Sequence, residues 1–257
     1  MMAWHEQLEN VFHWSAAHLP DMEETAAHLG IGAGVSLLIC LLLARRWRQL
    51  ASGQEETAFD RRLSERFRER RTPGLTRLAR VLAALGSPPL IVSLALVGTI
   101  AGVFFRHIRG AAWTLPIAIV GAALLIQALK MEFHRPRPAL FQPLLQETGY
   151  SFPSGHSLIA VVVYGLLGFF VMHFFDLDAW DLAVGGFVAG LVFLIGMARV
   201  YVGVHYASDV FTGWTAGLPW LVACLWLGKA LSHGWHQAGE PFLRLGLDVM
   251  KGTSGCG

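Results

Sequence analysis

The chain is 257 residues long, 54% hydrophobic and only 15% charged, with a mean hydropathy of +0.49. A soluble domain carries about 25% charged residues, so this composition excludes an ordinary water-soluble globule and requires a bilayer as solvent for the apolar excess. The formal net charge of +2 is small and gives no reason to expect a nucleic-acid partner.

In chain order, the first 28 residues hold Glu6, Glu9, Asp21, Glu23 and Glu24 but no Lys or Arg, so the basic n-region of a cleavable signal peptide is missing. At about 20 apolar residues per crossing, six spans are predicted: Ala26–Ala44, Val81–Phe105, Ala111–Leu129, Ser157–Phe175, Leu182–Ala198 and Val210–Gly228. None contains an acid, a lysine or an arginine. Gly86-Ser87-Pro88-Pro89 interrupts the second span and predicts a kink or a separate short segment there. Gly185, Gly186 and Gly190 in the fifth span, with Gly213 and Gly217 in the sixth, predict close helix packing. Cys40, Cys224 and Cys256 lack the spacing of a disulfide framework or a zinc site and read as small apolar fillers. The expected fold class is all-α: a single integral membrane domain over residues 1–257 with six transmembrane helices.

The long polar stretch, residues 45–80, lies between the first two spans. It carries eleven arginines against Glu55, Glu56, Asp60, Glu65 and Glu69. Phe59, Leu63 and Phe67 recur every four residues, opposite Arg61, Arg62, Arg66 and Arg68, and Pro73-Gly74 ends the segment. That pattern predicts an interfacial amphipathic helix lying in the headgroup region with its arginines on anionic phosphates. A solvated charged linker is the alternative.

The remaining polar residues gather in three clusters at span ends. The first is Lys130-Met131-Glu132-Phe133-His134-Arg135-Pro136-Arg137-Pro138. A residue before proline is pushed out of the helical region, so the helix is predicted to end near Lys130, with Arg135 and Arg137 extended on alternating sides. A guanidinium fork matches phosphate geometry and a lysine supplies a point charge. The second is Tyr150-Ser151-Phe152-Pro153-Ser154-Gly155-His156 before the fourth span. Ser154 reads as a helix cap, Gly155 lets a ligand approach the backbone, and the free N–H groups of the helix start favour an anion. His156 stands at the mouth of that cradle and titrates near neutral pH. The third runs from Arg199 through His205 to Asp209. The spacing of four puts His205 and Asp209 on one helical face, where Asp209 can fix the imidazole tautomer that leaves the other nitrogen free to attack. Each cluster alone also fits a blander role: a basic anchor, a capped helix, a structural His–Asp pair. Alternation of the spans brings all three to one membrane face.

Together these motifs resemble the signature of the type-2 phosphatidic acid phosphatase superfamily, which also includes non-specific acid phosphatases and vanadium haloperoxidases. The resemblance rests on Lys130 followed after six residues by Arg137-Pro138, on Pro153-Ser154-Gly155-His156, and on Arg199 with His205 and Asp209. Ala198 stands where the family often has serine before the third-motif arginine. The resemblance implies that His205 attacks phosphorus and forms a phosphohistidine, that Asp209 orients it, and that His156 protonates the leaving oxygen and then activates water. It implies that Lys130, Arg137, Ser154, Gly155 and Arg199 bind the phosphate oxygens. No cofactor is implied, and no cluster of acids in the sequence suits Mg²⁺ or Zn²⁺.

A site at the membrane edge suits a lipid phosphate or pyrophosphate, of the undecaprenyl pyrophosphate, phosphatidic acid or phosphatidylglycerol phosphate class. The apolar Ala139-Leu140-Phe141 and Leu144-Leu145 are expected to dip into the interface and help admit the lipid chain. Fifteen of the twenty lysines and arginines fall on the catalytic side, which by the positive-inside rule faces the cytoplasm. Bacterial members of the family resembled face outward, and an inner-membrane protein with an extracytoplasmic site is the expectation adopted. A transporter would place ionisable groups within its spans. A non-catalytic protein that binds anionic lipid needs the cations but not both His156 and His205.

Overall fold

The structure is a computed structural model that describes residues 56–105, 110–138, 143–145, 147–175 and 180–228, with scattered positions between 27 and 45. All its regular elements are helices: α1 (Gly30–Ile39), α2 (Ala58–Glu69), α3 (Pro73–Leu85), α4 (Pro88–Phe104), α5 (Gly110–Phe133), α6 (Gly155–Phe175), α7 (Asp181–Tyr201) and α8 (Ala207–Gly228). Four of them, α5 to α8, are long and apolar enough to cross a membrane, and α3 with α4 forms a fifth candidate bent by 48°. The bend falls at the predicted Gly86-Ser87-Pro88-Pro89 break, where prolines at the start of α4 fit a new helix and not the interior of an old one. The first predicted span, Ala26–Ala44, lies partly outside the described residues, and residues 1–25 and the tail after Gly228 lie wholly outside them.

The core forms where α5, α6 and α8 meet. Small residues on α5, Ala118 and Ala122, leave room for Leu158 and Val162 of α6 and for Trp220 of α8. The Trp220 indole lies so close to Gly121 that no methyl would fit there, and it donates to the Ala118 carbonyl at 3.0 Å. Without a hydrophobic force between helices in lipid, such close approach and polar contact hold them together. Gly213 and Gly217 serve the same end, facing the Ser154 and Leu158 carbonyls of α6. Gly185, Gly186 and Gly190 do not: each faces open space on α7. The outward faces stay apolar, with Val97, Leu124 and Phe187 at least 65% exposed, as lipid-facing surface should be.

The described part of the arginine-rich segment forms α2, which stops before the predicted Pro73-Gly74 end, and the start of α3. Thr57 and Asp60 close a capping box that starts α2, and Thr72 caps α3 after a break at Arg70–Arg71. The buried face of α2 is not the expected Phe59–Leu63–Phe67 stripe. At about 100° per residue the face is rotated by roughly 50°, so that Leu63 and Phe67 still pack on the protein, Asp60 and Ser64 are buried beside them, and Phe59 is 57% exposed. Phe67 meets Tyr201 of α7 edge-on at 5.9 Å, and Arg71 donates to the Tyr201 carbonyl. Leu63 and Phe67 are thus occupied by Val200 and Tyr201 of α7 and by Ala207 and Val210 at the start of α8.

Candidate active site

All three clusters meet at one end of the bundle. Helix α5 overruns Lys130 by three residues, because the proline penalty falls on Arg135 and Arg137 and leaves Met131–Phe133 free to stay helical. It stops at His134, which takes a left-handed φ of 45° and stacks edge-on against Tyr150 at 4.6 Å. Beyond it the chain is extended and the two arginines diverge.

Arg135 turns inward. Its Nη1 donates to Asp209 Oδ1 at 2.6 Å and to Ser208 Oγ at 2.8 Å, its Nη2 donates to Asp60 Oδ2 at 3.1 Å, and its guanidinium lies 4.1 Å from the Tyr206 ring centre. Against the effect of burial, Asp209 and Asp60 hold this guanidinium above its usual pKa. Arg135 is therefore an internal ion-pair partner.

Arg137 turns toward His205. It pairs with Glu147 at 3.1 Å, donates to the Val204 carbonyl at 2.9 Å, and places Nη1 3.5 Å from His205 Nε2. Arg199, on the last turn of α7, is 1% exposed and also pairs with Glu147. Burial alone would lift the Glu147 carboxyl, but the Arg199 charge and hydrogen bond outweigh it and hold the group at about 2. Lys130, half-buried at the end of α5, is within Coulombic reach of Arg137, Glu147, Asp209 and Arg199.

The second cluster caps α6 as expected. Ser154 is fully buried, and its hydroxyl oxygen accepts from Ser157 Oγ at 2.9 Å and from Ser157 N at 3.4 Å. Its own N–H donates to the Asp209 carbonyl at 3.1 Å, which ties this cradle to the third cluster. Gly155 opens α6, and His156 follows it within Coulombic reach of Arg199, Glu147 and His205. The bend between α3 and α4 touches this histidine. A methyl on Gly86 would lie 2.8 Å from Ile195 and 3.1 Å from the His156 ring, and Tyr164 of α6 donates to the Leu85 carbonyl at 2.8 Å.

His205 sits in the turn between α7 and α8, 1% exposed, with Nδ1 3.5 Å from Asp209 Oδ2. That distance is long for a hydrogen bond, and Nδ1 finds no partner at bonding geometry. Asp209 Oδ2 is fixed from the other side by the Tyr206 N–H at 3.0 Å. Burial, against the opposing pull of Asp209, pushes His205 down to about 4, so its imidazole is neutral at pH 7.

Sequence reasoning passed over Glu147, Asp60 and Ser208. Asp60 lies in the arginine-rich stretch and reaches Ser208 across 148 positions. Its signal was present: an acid on the face that also carries Leu63 and Phe67. Leu144 and Leu145 are partly buried and pack beside Ala198, Val202 and Val204, with the Leu144 N–H donating to the Val202 carbonyl at 2.8 Å. Residues 139–142 lie outside the described residues.

A family model for the PAP2 superfamily matches residues 111–232. Phosphatidylglycerophosphatase B of Bacillus subtilis (strain 168) is 32% identical over 150 residues, covering 58% of this chain and 72% of its own. An undecaprenyl-diphosphatase of Sulfolobus acidocaldarius is 28% identical over 188 residues, covering 70% of this chain and 84% of its own. The crystal structure of a transmembrane PAP2 type phosphatidylglycerolphosphate phosphatase from Bacillus subtilis superposes with a TM-score of 0.69 at 27% identity, over 77% of this chain and 96% of that one. That of Aquifex aeolicus LpxE gives a TM-score of 0.54 at 26% identity, over 68% and 98%. With its three motifs assembled at one end of a multi-pass helical bundle, the chain belongs to the PAP2 superfamily.

Proposed function

We propose that this protein hydrolyses a phosphate or pyrophosphate monoester carried by a membrane lipid, without a metal and through a phosphohistidine. The observation that carries the reading is the setting of His205. One ring nitrogen faces a buried carboxylate at 3.5 Å and the other faces the Arg137 guanidinium at 3.5 Å. A neutral imidazole so placed presents the Nε2 lone pair to any phosphoryl group bound on the cations.

The substrate's non-bridging oxygens bind Lys130, Arg137, Arg199, the Ser154 hydroxyl and the Gly155 N–H, displacing Glu147 from the two arginines. Nε2 of His205 attacks phosphorus, the bond to the lipid oxygen breaks with its electron pair going to that oxygen, and His156 supplies the proton. Asp209 stabilises the positive charge that develops on the His205 ring. In the second half His156 takes a proton from water, the hydroxide displaces His205, and inorganic phosphate leaves. Phosphoryl transfer needs mainly positioning and charge stabilisation, and the side chains supply both.

Lipids of the phosphatidylglycerol phosphate, phosphatidic acid and undecaprenyl pyrophosphate classes all present such a group at the membrane edge. The first two of six spans are Ala26–Ala44 and the bent α3–α4 pair. Gly32 supports the first, since a methyl there would collide with Ala223 of α8. The site faces the extracytoplasmic side of the inner membrane, and the exposed Arg62, Arg66 and Arg68 of α2 lie at the headgroup level.

Phosphate release from a panel of these lipids by detergent-purified protein in EDTA, wild type beside His205→Ala, tests the reading. Release that survives EDTA and vanishes in the variant supports it. No release from any lipid, or release that the variant retains, sinks it and favours a non-catalytic lipid-binding protein.

A further inference from the structure

Asp60 is a carboxylate with 0% exposure, held far in sequence from every motif residue. As a helix cap it needs only the Thr57 N–H at 3.3 Å, and a cap functions well at a surface. Yet Asp60 also accepts from Ser208 N at 2.9 Å, from Ser208 Oγ at 2.8 Å and from Arg135 Nη2 at 3.1 Å. Complete burial of a charge is costly unless it is paired, and capping gives no reason for it.

The reason lies in the charge on the far side of Arg135. Paired with Arg135 alone, Asp209 would have its charge largely neutralised at Oδ1 and little left for His205. Here the one guanidinium is shared between two carboxylates, both with 0% side-chain exposure. The cluster therefore keeps a net negative charge, and the open edge of that charge is Asp209 Oδ2, 3.5 Å from His205 Nδ1. Ser208 closes the frame: its hydroxyl donates to Asp60 and accepts from Arg135, and its neighbour is Asp209 itself.

We propose that Asp60 is a positioning residue for the hydrolysis: by sharing Arg135 it keeps the Asp209 carboxylate aimed at, and charged toward, the nucleophilic imidazole. The helix between the first two spans thus belongs to the catalytic apparatus as well as to the membrane surface. This inference rests on the phosphohistidine reading above.

Its test compares wild type, Asp60→Asn, Asp209→Asn and the double variant, full-length in detergent, on dioleoyl phosphatidic acid and on phosphatidylglycerol phosphate. Active sites are titrated with vanadate so that loss of folded protein does not count. The Asp60→Asn change keeps an acceptor for the Ser208 N–H but removes the charge. The expected result is a fall in kcat of about 10- to 100-fold, the scale of a small misplacement of reacting groups, with KM within about twofold. In the Asp209→Asn background the same change is expected to cost less than about twofold, since its target is gone. Ser208→Ala, which removes one strut only, serves if Asp60→Asn does not fold, with a kcat loss of several-fold expected. A wild-type kcat in Asp60→Asn, or in Ser208→Ala where that variant stands in, overturns the positioning role alone; so does a loss that adds in full to that of Asp209→Asn. An inactive wild type overturns the phosphatase reading and the positioning role with it.

Discussion

Arg135 and Arg137 are two residues apart in one Arg-Pro-Arg-Pro run, yet Arg135 binds Asp209, the carboxylate on the Nδ1 side of His205, while Arg137 lies 3.5 Å from its Nε2. Arg135 meets fixed carboxylates, Asp60 and Asp209, both fully buried. Arg137 meets backbone carbonyls and Glu147, whose side chain is 26% exposed and sits on a loop. Extended backbone would put residues two apart on the same face, so the divergence lies in the partners each guanidinium finds, Asp60 and Asp209 for Arg135 and Glu147 with the Val204 carbonyl for Arg137. One arginine is part of the buried framework, while the other has a partly exposed partner, which in the proposed reaction a phosphate replaces.

The comparison breaks most readily by truncation. Arg135→Ala leaves two buried carboxylates without their cation, and a loss of about 3–5 kcal/mol in stability is expected, read by denaturant unfolding in detergent. Arg137→Ala should cost about 1–2 kcal/mol in the same assay but lower kcat/KM by about 10²- to 10³-fold, as for removal of one oxyanion donor. Equal losses in both assays would erase the distinction. A smaller effect sharpens it. Glu147→Gln removes the carboxylate from Arg199 and Arg137, so vanadate inhibition should tighten by about two- to fivefold, the size of a partly exposed ion pair. Vanadate binding that is unchanged or weaker would mean that Glu147 does not compete for the cations.

The smallest effect is on pH dependence. His205 is pushed down to about 4, chiefly by burial, so the acid limb of kcat/KM should fall near pH 4 and not near the ordinary histidine value of about 6.5. The sign for stability is the same. Because the folded value lies below the unfolded one, the contribution is full above about 6.5 and is lost as pH falls toward 4. Arg137 is among the charges that depress His205, so Arg137→Ala should move the acid limb upward. A limb near 6.5 in the wild type would mean that His205 is not the group whose neutrality the reaction needs.

Much of this cluster was legible in the sequence, because the residues proposed to bind phosphate lie at fixed local spacings. Lys130 and Arg137, the Ser154–His156 run, and His205 with Asp209 are each set by a helix end or a proline. Gly213 was legible too, since a glycine at a crowded helix crossing leaves a compositional trace. Asp60 was not, because its partner Ser208 is 148 positions away and the surrounding arginines suggested a membrane surface. Glu147 was hidden for another reason: its position depends on Leu144 and Leu145 docking beside Val202, which no local spacing encodes. The open faces of Gly185, Gly186 and Gly190 carry the opposite lesson, since a small-residue run permits close packing without requiring it.

The Asp60–Arg135 bridge also bears on modularity. The stretch matched by the family model begins at Ala111, and it carries both histidines and every cation assigned to the phosphate. Grafted onto another membrane scaffold, that stretch would arrive with Arg135 lacking one of its two carboxylates and with the Asp209 charge drawn away from His205. The border of the catalytic unit therefore lies well upstream of the border of its recognisable motifs, and any exchange of parts between relatives has to carry α2 along.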